Sequence, residues 1–237
     1  ATPDCACRKA IALDGRNPGS HFNLAASLVD LGRPNEARRA LERAIKRDPN
    51  YAEAHNNLAN LLMKSGEIEP ALSHYRKAAA ARPGYLEPVA NMARALADAE
   101  RHDESVEYFR QLAEPDDADA ELLTDYANAL HKAGKPSEAL TICERALQSD
   151  PNSAKAVFLC AVLQKEHGDQ PGAEKSYRRA AELDPDLAEI YNNLGNLLYH
   201  ADQVEEALAC YETYVEKGDQ KASGLLSQAS CHIALGD

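Results

Sequence analysis

The sequence predicts an all-α solenoid, a stack of two-helix hairpins, and three observations carry that prediction. The first is a period: Ala25, Ala59, Ala93, Ala127, Ala161, Gly195 and Ala229 recur at steps of 34 residues with no insertion or deletion. A fixed period of this size marks a repeat architecture rather than one globular core. The second is that the small residues form further rows in the same register. Ala37, Ala71, Ser105, Ala139, Ala173 and Ala207 make one. Ala44, Ala78, Ala146 and Ala180 make another, with Leu112 and Tyr214 in the third and sixth repeats. Small residues are needed where two helix backbones approach, and a bulky replacement there costs about 1–3 kcal/mol by overpacking. The third is that apolar residues recur three and four apart, the spacing of one helix face, and no stretch alternates as a strand would.

The stretch from Ala52 to Pro83 shows the unit most clearly. Leu58, Leu61 and Leu62 lie on one face of a first helix; Ala71, Leu72, Tyr75, Ala78 and Ala79 lie on one face of a second. Gly66 permits the turn between them and Pro83 stops the second helix. Along the whole chain, Cys7, Ala10, Ile11 and Leu13 fit a second-helix face, so residues 1–17 read as the back half of a partial repeat. Six full repeats follow, at 18–51, 52–85, 86–119, 120–153, 154–187 and 188–221. Turn glycines are Gly32, Gly66, Gly134 and Gly168, and stop prolines are Pro49, Pro83, Pro151 and Pro185. Residues 222–237 supply one more first helix, ending at Gly236, as a partial or capping repeat. Starting and stopping in mid-hairpin without an initiator Met, the chain reads as a fragment of a longer array or a larger protein. The alternative is that the last helix is a genuine cap, though Leu225, Leu226, Ile233 and Leu235 leave it apolar and open to a partner helix.

Repeats three and six depart from the pattern together. They carry Glu100 and Asp202 at the turn and Asp117 and Asp219 at the stop. Residues 32–50 resemble 134–152, and 73–83 resemble 175–185. These shared offsets predict duplication of a three-repeat block; convergence on a common consensus is the alternative.

Composition narrows the function. The chain has 237 residues, 44% hydrophobic and 27% charged, with a net charge of −12. That balance argues against general binding to nucleic acid or an anionic membrane. No apolar run approaches the roughly 20 residues that cross a bilayer. Of the six cysteines, Cys143 and Cys160 fall at core positions, while Cys210 and Cys231 sit singly in helices. They read as reduced, buried thiols in a cytoplasmic setting. Cys5 and Cys7 point apart on a helix and have no further ligands at zinc spacing. No cofactor is expected, since no Gly-rich phosphate loop follows a strand. The eight histidines are scattered; His21 and His55, one repeat apart, are candidate neighbours with a packing role rather than a metal-binding one. Paired carboxylates such as Glu205 and Glu206 read as solvated charges. No catalytic constellation is present in the sequence.

The period and the small/large pattern resemble the tetratricopeptide repeat family over nearly the whole chain. The resemblance implies a right-handed superhelix whose first helices line a concave groove. It further implies a non-catalytic interaction scaffold that binds an extended peptide or protein segment there. Two rows on the first helices share a face: Asn23, Asn57, Asn91, Asp125, Leu159, Asn193 and Ser227, and three residues on, Ala26, Asn60, Arg94, Asn128, Val162, Asn196 and Ser230. An asparagine offers one acceptor and two donors, so a ladder of them can hold peptide amides without regard to sequence. In this the chain resembles the repeats of O-linked N-acetylglucosamine transferases, which hold substrate proteins on such a ladder. Asn23, Asn57, Asn91 and Asn193 match the ladder; Asp125, Leu159 and Ser227 interrupt it.

Phe22 and Phe158 add two aromatic groups on the groove side, as apolar anchors or as covers for a neighbouring helix. A deeper row, Asp30, Lys64, Asp98, Lys132, Glu166 and His200, alternates in sign, so neighbours should neutralise one another rather than clamp a C-terminal carboxylate. The rim row of Glu53, Glu87, Glu121 and Glu189, with Lys155 as the exception, favours a neutral or basic partner. Two other functions fit the same sequence. One is the substrate-recruiting region of a larger enzyme such as a glycosyltransferase. The other is a self-assembling scaffold, a homo-oligomer built through array ends or the convex face.

Overall fold

The computed structural model describes residues 16–114, 118–218 and 221–236 of the chain. The helix expected over residues 1–14, with Cys5 and Cys7, lies outside the described residues, as do Asp117 and Asp219. Among the described residues there are thirteen helices and no strand. They pair as hairpins: α1 (Pro18–Asp30) with α2 (Pro34–Arg47), α3 (Ala52–Lys64) with α4 (Ile68–Ala81), and α5 (Glu87–Asp98) followed by α6 (His102–Ala113). Then come α7 (Ala120–Lys132) with α8 (Pro136–Ser149), α9 (Ala154–Glu166) with α10 (Gln170–Leu183), and α11 (Ala188–His200) with α12 (Val204–Lys217). The last helix is α13 (Lys221–Leu235), packed on α12. The architecture is an all-α solenoid.

The chain divides into two compact units, up to Leu112 and from Ala113 onward, so the division falls at the end of α6. The first unit has a core of Leu24, Leu28, Leu41, Leu58, Leu62, Leu72, Tyr75 and Leu96. In the second, Val157, Tyr177, Ile190, Leu194, Leu198 and Tyr211 pack together with Cys231.

The small-residue rows explain why the helices can lie this close. Ala25, Ala59, Ala93, Ala127 and Ala161 are all buried, and so is every member of the row from Ala37 to Ala207. Ser105 fits this second row because its Oγ donates to the Ala93 carbonyl at 2.8 Å, which satisfies the hydroxyl inside the core. At Gly195 the spacing is tighter still: an added Cβ would sit 2.8 Å from the Tyr211 ring. Ala229, the last member of its row, is exposed on α13. Cys143, Cys160 and Cys231 are buried free thiols and Cys210 is half-buried and free, as the sequence suggested.

The turn inside each hairpin has one geometry. After α1, Gly32 donates to the Val29 carbonyl and Arg33 to that of Leu28; after α3, Gly66 and Glu67 donate to Met63 and Leu62. This is a Schellman cap, which needs a left-handed residue at its pivot. Gly32, Gly66, Gly134 and Gly168 supply it with φ of 69°, 76°, 73° and 83°. Repeats three and six have no glycine there, yet Glu100 and Asp202 adopt φ of 59° and 63° and make the same two hydrogen bonds. The packing of the two flanking helices thus outweighs the local backbone preference. Before the next first helix, the chain turns on Asp48, Asp150 and Asp184, whose Oδ1 atoms accept from the amides of Asn50, Asn152 and Asp186.

Two consequences for stability follow. A left-handed L-residue costs about 1–2 kcal/mol, less for Asp, which tolerates that region. Glu100→Gly should therefore raise the unfolding free energy by about 1 kcal/mol and Asp202→Gly by less, as read from urea denaturation. Gly195→Ala should lower it by about 1–3 kcal/mol, because the new methyl group has to displace a fully packed tyrosine.

Candidate functional site

In the first unit, the face shared by α1 and α3 encloses a cleft of about 260 Å³. Ala25, Leu41 and Leu61 form its floor, Ala26 and Val29 one wall, and Asn57 and Asn60 the other, with Asp30 and Lys64 at the mouth. Asn57 and Asn60 reach the same cleft because they are three residues apart on α3 and therefore project from one side of it.

The two asparagines differ in what holds them. Asn57 is half-buried and its side chain has no hydrogen-bond partner among the described residues. Asn60 is fixed through its Oδ1, which accepts from the Tyr75 hydroxyl at 2.6 Å and from Asn91 Nδ2 at 3.4 Å. Burial pushes the Tyr75 phenol up to about 12, so it stays protonated and donates. The Nδ2 group of Asn60 is left for whatever enters the cleft. The same arrangement recurs in the second unit, where Tyr211, also pushed up to about 12 by burial, donates to Asn196 Oδ1 at 2.9 Å.

Other sequence-predicted residues are committed elsewhere. Asn91 turns its Nδ2 toward Asn56 Oδ1 at 3.2 Å as well as toward Asn60, so its donor faces its own chain. Asn193 donates to the Glu189 carbonyl of its own helix at 3.0 Å. Asn23 and Asn128 are exposed, Asp125 and Arg94 are half-buried, and Leu159 is buried. Phe22 packs on Tyr51 with ring centroids 5.2 Å apart, and Phe158 on Tyr177 at 6.0 Å. In the deeper row, Asp30 and Lys64 bring opposite charges to one cleft mouth without touching. Glu166 meets His131 at 2.9 Å. The helical spacing sets which neighbour lies within reach. On the rim, Glu53 pairs with Arg82 at 2.7 Å, while Glu87 accepts from Asn56 at 2.9 Å and from Tyr85 at 3.1 Å.

Sequence reading missed two groups behind this face. Asn56 is fully buried and joins α3 to α5 through Asn91, Glu87 and Tyr85. Asn56 shares its row, at steps of 34, with Phe22, Phe158 and Asn192, none of them fully buried, so register gave no signal of its burial. The second is His74, which meets His55 with the two Nδ1 atoms 2.8 Å apart. The histidine beside His55 is thus the one on α4, not the expected neighbour His21. The Pro49 carbonyl, 3.0 Å from His55 Nε2, can only accept, so that nitrogen carries the proton. His55 Nδ1 is then the acceptor, His74 Nδ1 the donor, and His74 Nε2 is left bare. No group of three or more His, Cys, Asp or Glu among the described residues is arranged to hold a metal ion, and no helix is long and apolar enough to cross a membrane.

The comparisons with known proteins agree with this geometry. The tetratricopeptide repeat description matches residues 22–85 and 91–154, and a TPR repeat matches 164–202. The chain belongs to the tetratricopeptide repeat family. No curated protein matches the sequence. Among solved structures, the chain is similar to YrrB, described as a TPR protein with an unusual peptide-binding site. That match has 22% identity and a TM-score of 0.64, covering 81% of this chain and 99% of that one. A tetratricopeptide repeat protein from Parabacteroides merdae matches with 17% identity and a TM-score of 0.76, over 92% of this chain and 86% of that one. Pseudomonas aeruginosa pilF matches with 18% identity and a TM-score of 0.75, over 92% and 100%. At these identities the likeness is one of fold: the shared tetratricopeptide hairpin places first helices side by side, and this chain's own side chains line the cleft between them.

Both inward groups can be tested. Removing a buried hydrogen-bonding partner leaves others unsatisfied, so Asn56→Ala should cost about 1–3 kcal/mol in urea denaturation. Burial lowers His55 below the ordinary histidine value of 6.5, and burial with the His55 charge lowers His74 to about 4. Lys77 disfavours charge on both; Asp48 beside His55 and Glu42 near His74 favour it, and Arg38 opposes it at His74. The unfolded chain therefore binds more protons than the folded one below about pH 6.5. Stability present above that value should fall as the pH drops, levelling off below about 4. In His74→Leu the thermal midpoint should depend less steeply on pH across this window.

Proposed function

We propose that this chain is a non-catalytic interaction scaffold that binds an extended peptide or protein segment along the groove formed by its first helices. The observation that carries the reading is the cleft between α1 and α3. There the Asn57 amide, unpartnered among the described residues, and Asn60 Nδ2 stand over an apolar floor. Such an amide pair can hold the N–H and C=O groups of a passing backbone. The likeness to YrrB, with its peptide-binding site, points the same way. So does the likeness to a chain of the APC/C hetero-tetramer Cut9-Hcn1, at 14% identity and a TM-score of 0.71, over 95% of this chain and 45% of that one. By register, Phe22, Asn23, Asn91 and Arg94 in the first unit and Asp125, Asn128, Phe158, Asn193 and Asn196 in the second extend the proposed binding face. The net charge of −12 favours a neutral or basic segment. The buried free thiols Cys143 and Cys160 suit a reducing, cytoplasmic setting.

The matching asparagines at 23, 57, 91 and 193 favour one further reading, in which the same groove recruits protein substrates for a larger enzyme such as a glycosyltransferase.

Binding of a library of synthetic peptides to the purified chain tests the proposal. Losing one backbone hydrogen bond should weaken the selected peptides by a factor of about three to ten in Asn57→Ala, with helical content unchanged by circular dichroism. Asn91→Ala should do less, since its donor serves Asn56 and Asn60. Equal affinity in both variants and in the parent would remove the asparagines from the binding face.

A further inference from the structure

The position three residues beyond each ladder asparagine carries Ala26 in the first repeat, against Asn60 in the second and Arg94 in the third. The interruption has a physical result: the cleft between α1 and α3 is open because Ala26 sends only a methyl group toward it. Its floor is apolar, with Ala25 1% exposed, Leu41 1% and Leu61 8%. Val29 stands beside it 42% exposed, more than a valine on a closed surface would be. At the mouth, Asp30 and Lys64 are both exposed and carry opposite charges.

We infer that this cleft is a selectivity pocket that takes one aliphatic side chain of the bound segment, and that Ala26 determines the choice. The inference rests on the groove reading above and adds to it a chemical preference and a register. Three features select the occupant. The volume of about 260 Å³ lies below the roughly 300–1,000 Å³ usual for small-molecule sites, and it admits one aliphatic side chain together with part of the backbone that carries it. The floor presents carbon, so an occupant gains by leaving water behind. The mouth is neutral overall, because Asp30 and Lys64 offset each other, so no field draws a charged side chain inward. Asn57 and Asn60 on the opposite wall then face the backbone that carries the side chain. Amide contacts alone would let a segment slide; a side chain held between Val29 and Leu61 fixes it in one position.

The test uses random dodecapeptides displayed against the purified full chain, with Ala26→Leu and Ala80→Leu. Both variants add the same side chain at an exposed helical position, the first over the cleft and the second on α4 away from it. Peptides selected by the parent chain should share Leu, Ile, Val or Met at one fixed position. Against Ala26→Leu those peptides should bind about tenfold more weakly and the positional preference should vanish, while Ala80→Leu should leave both in place. Peptides that bind and respond to Asn57→Ala but show no aliphatic position, or that ignore Ala26→Leu, overturn the pocket and leave the groove reading standing. A parent chain that retains no peptide overturns both.

Discussion

Everything in this fold depends on one constraint: two helix backbones must come close at the same point of every 34-residue unit. That approach needs a side chain no larger than a methyl group or a satisfied hydroxyl on one helix, and something large to fill the space on the other. Gly195 against Tyr211 shows that contact directly, and Ala59 with Tyr75 and Ala161 with Tyr177 stand buried at the same spacing in their repeats. Once the contact is set, the hairpin angle follows, and with it the side-by-side placement of first helices that opens a face for recognition. Even the backbone gives way to it. Glu100 and Asp202 accept a left-handed conformation because the helices on either side are already held.

What could be read from the sequence was whatever repeats. The period, the turn glycines and the buried alanines are all matters of register, and the helices begin and end within a residue or two of where that register puts them. The candidate face was legible in the same way: residues three apart on α3 had to share a side, and Asn57 and Asn60 do. Partnership across helices was not legible. Nothing in the spacing says that Tyr75, fifteen residues further on, reaches Asn60 rather than water, or that Asn91 turns toward Asn56. Those choices depend on distances between side-chain ends, which differ from one repeat to the next even when the backbones match. Charge patterning was legible only in sum: alternating signs in the deeper row set Asp30 against Lys64 at one cleft mouth, but spacing does not say whether the two touch, and they do not.

The second hairpin concentrates what is distinctive about the chain. It bears the buried Asn56, the paired histidines and the wall of the cleft, all on α3 and α4. Any change in how these two helices meet would be felt directly by Asn57 and Asn60. The proposed binding groups of the first unit thus stand on a rigid helical pair rather than on a loop, the placement that holds a side chain most firmly.

The side-chain bonds between repeats reach only a short way along the chain. The Asn91–Asn56 and His131–Glu166 bonds span 35 residues, and Arg38–Glu67 and Arg178–Glu206 span 29 and 28. Each fastens one layer to the next. Molecules joined in this way store their order as a chain of local agreements, like the links of a zip. Within each unit, loss of structure should therefore begin at one end and advance layer by layer, and amide protons should exchange soonest in the outermost helices and slowest in the middle ones.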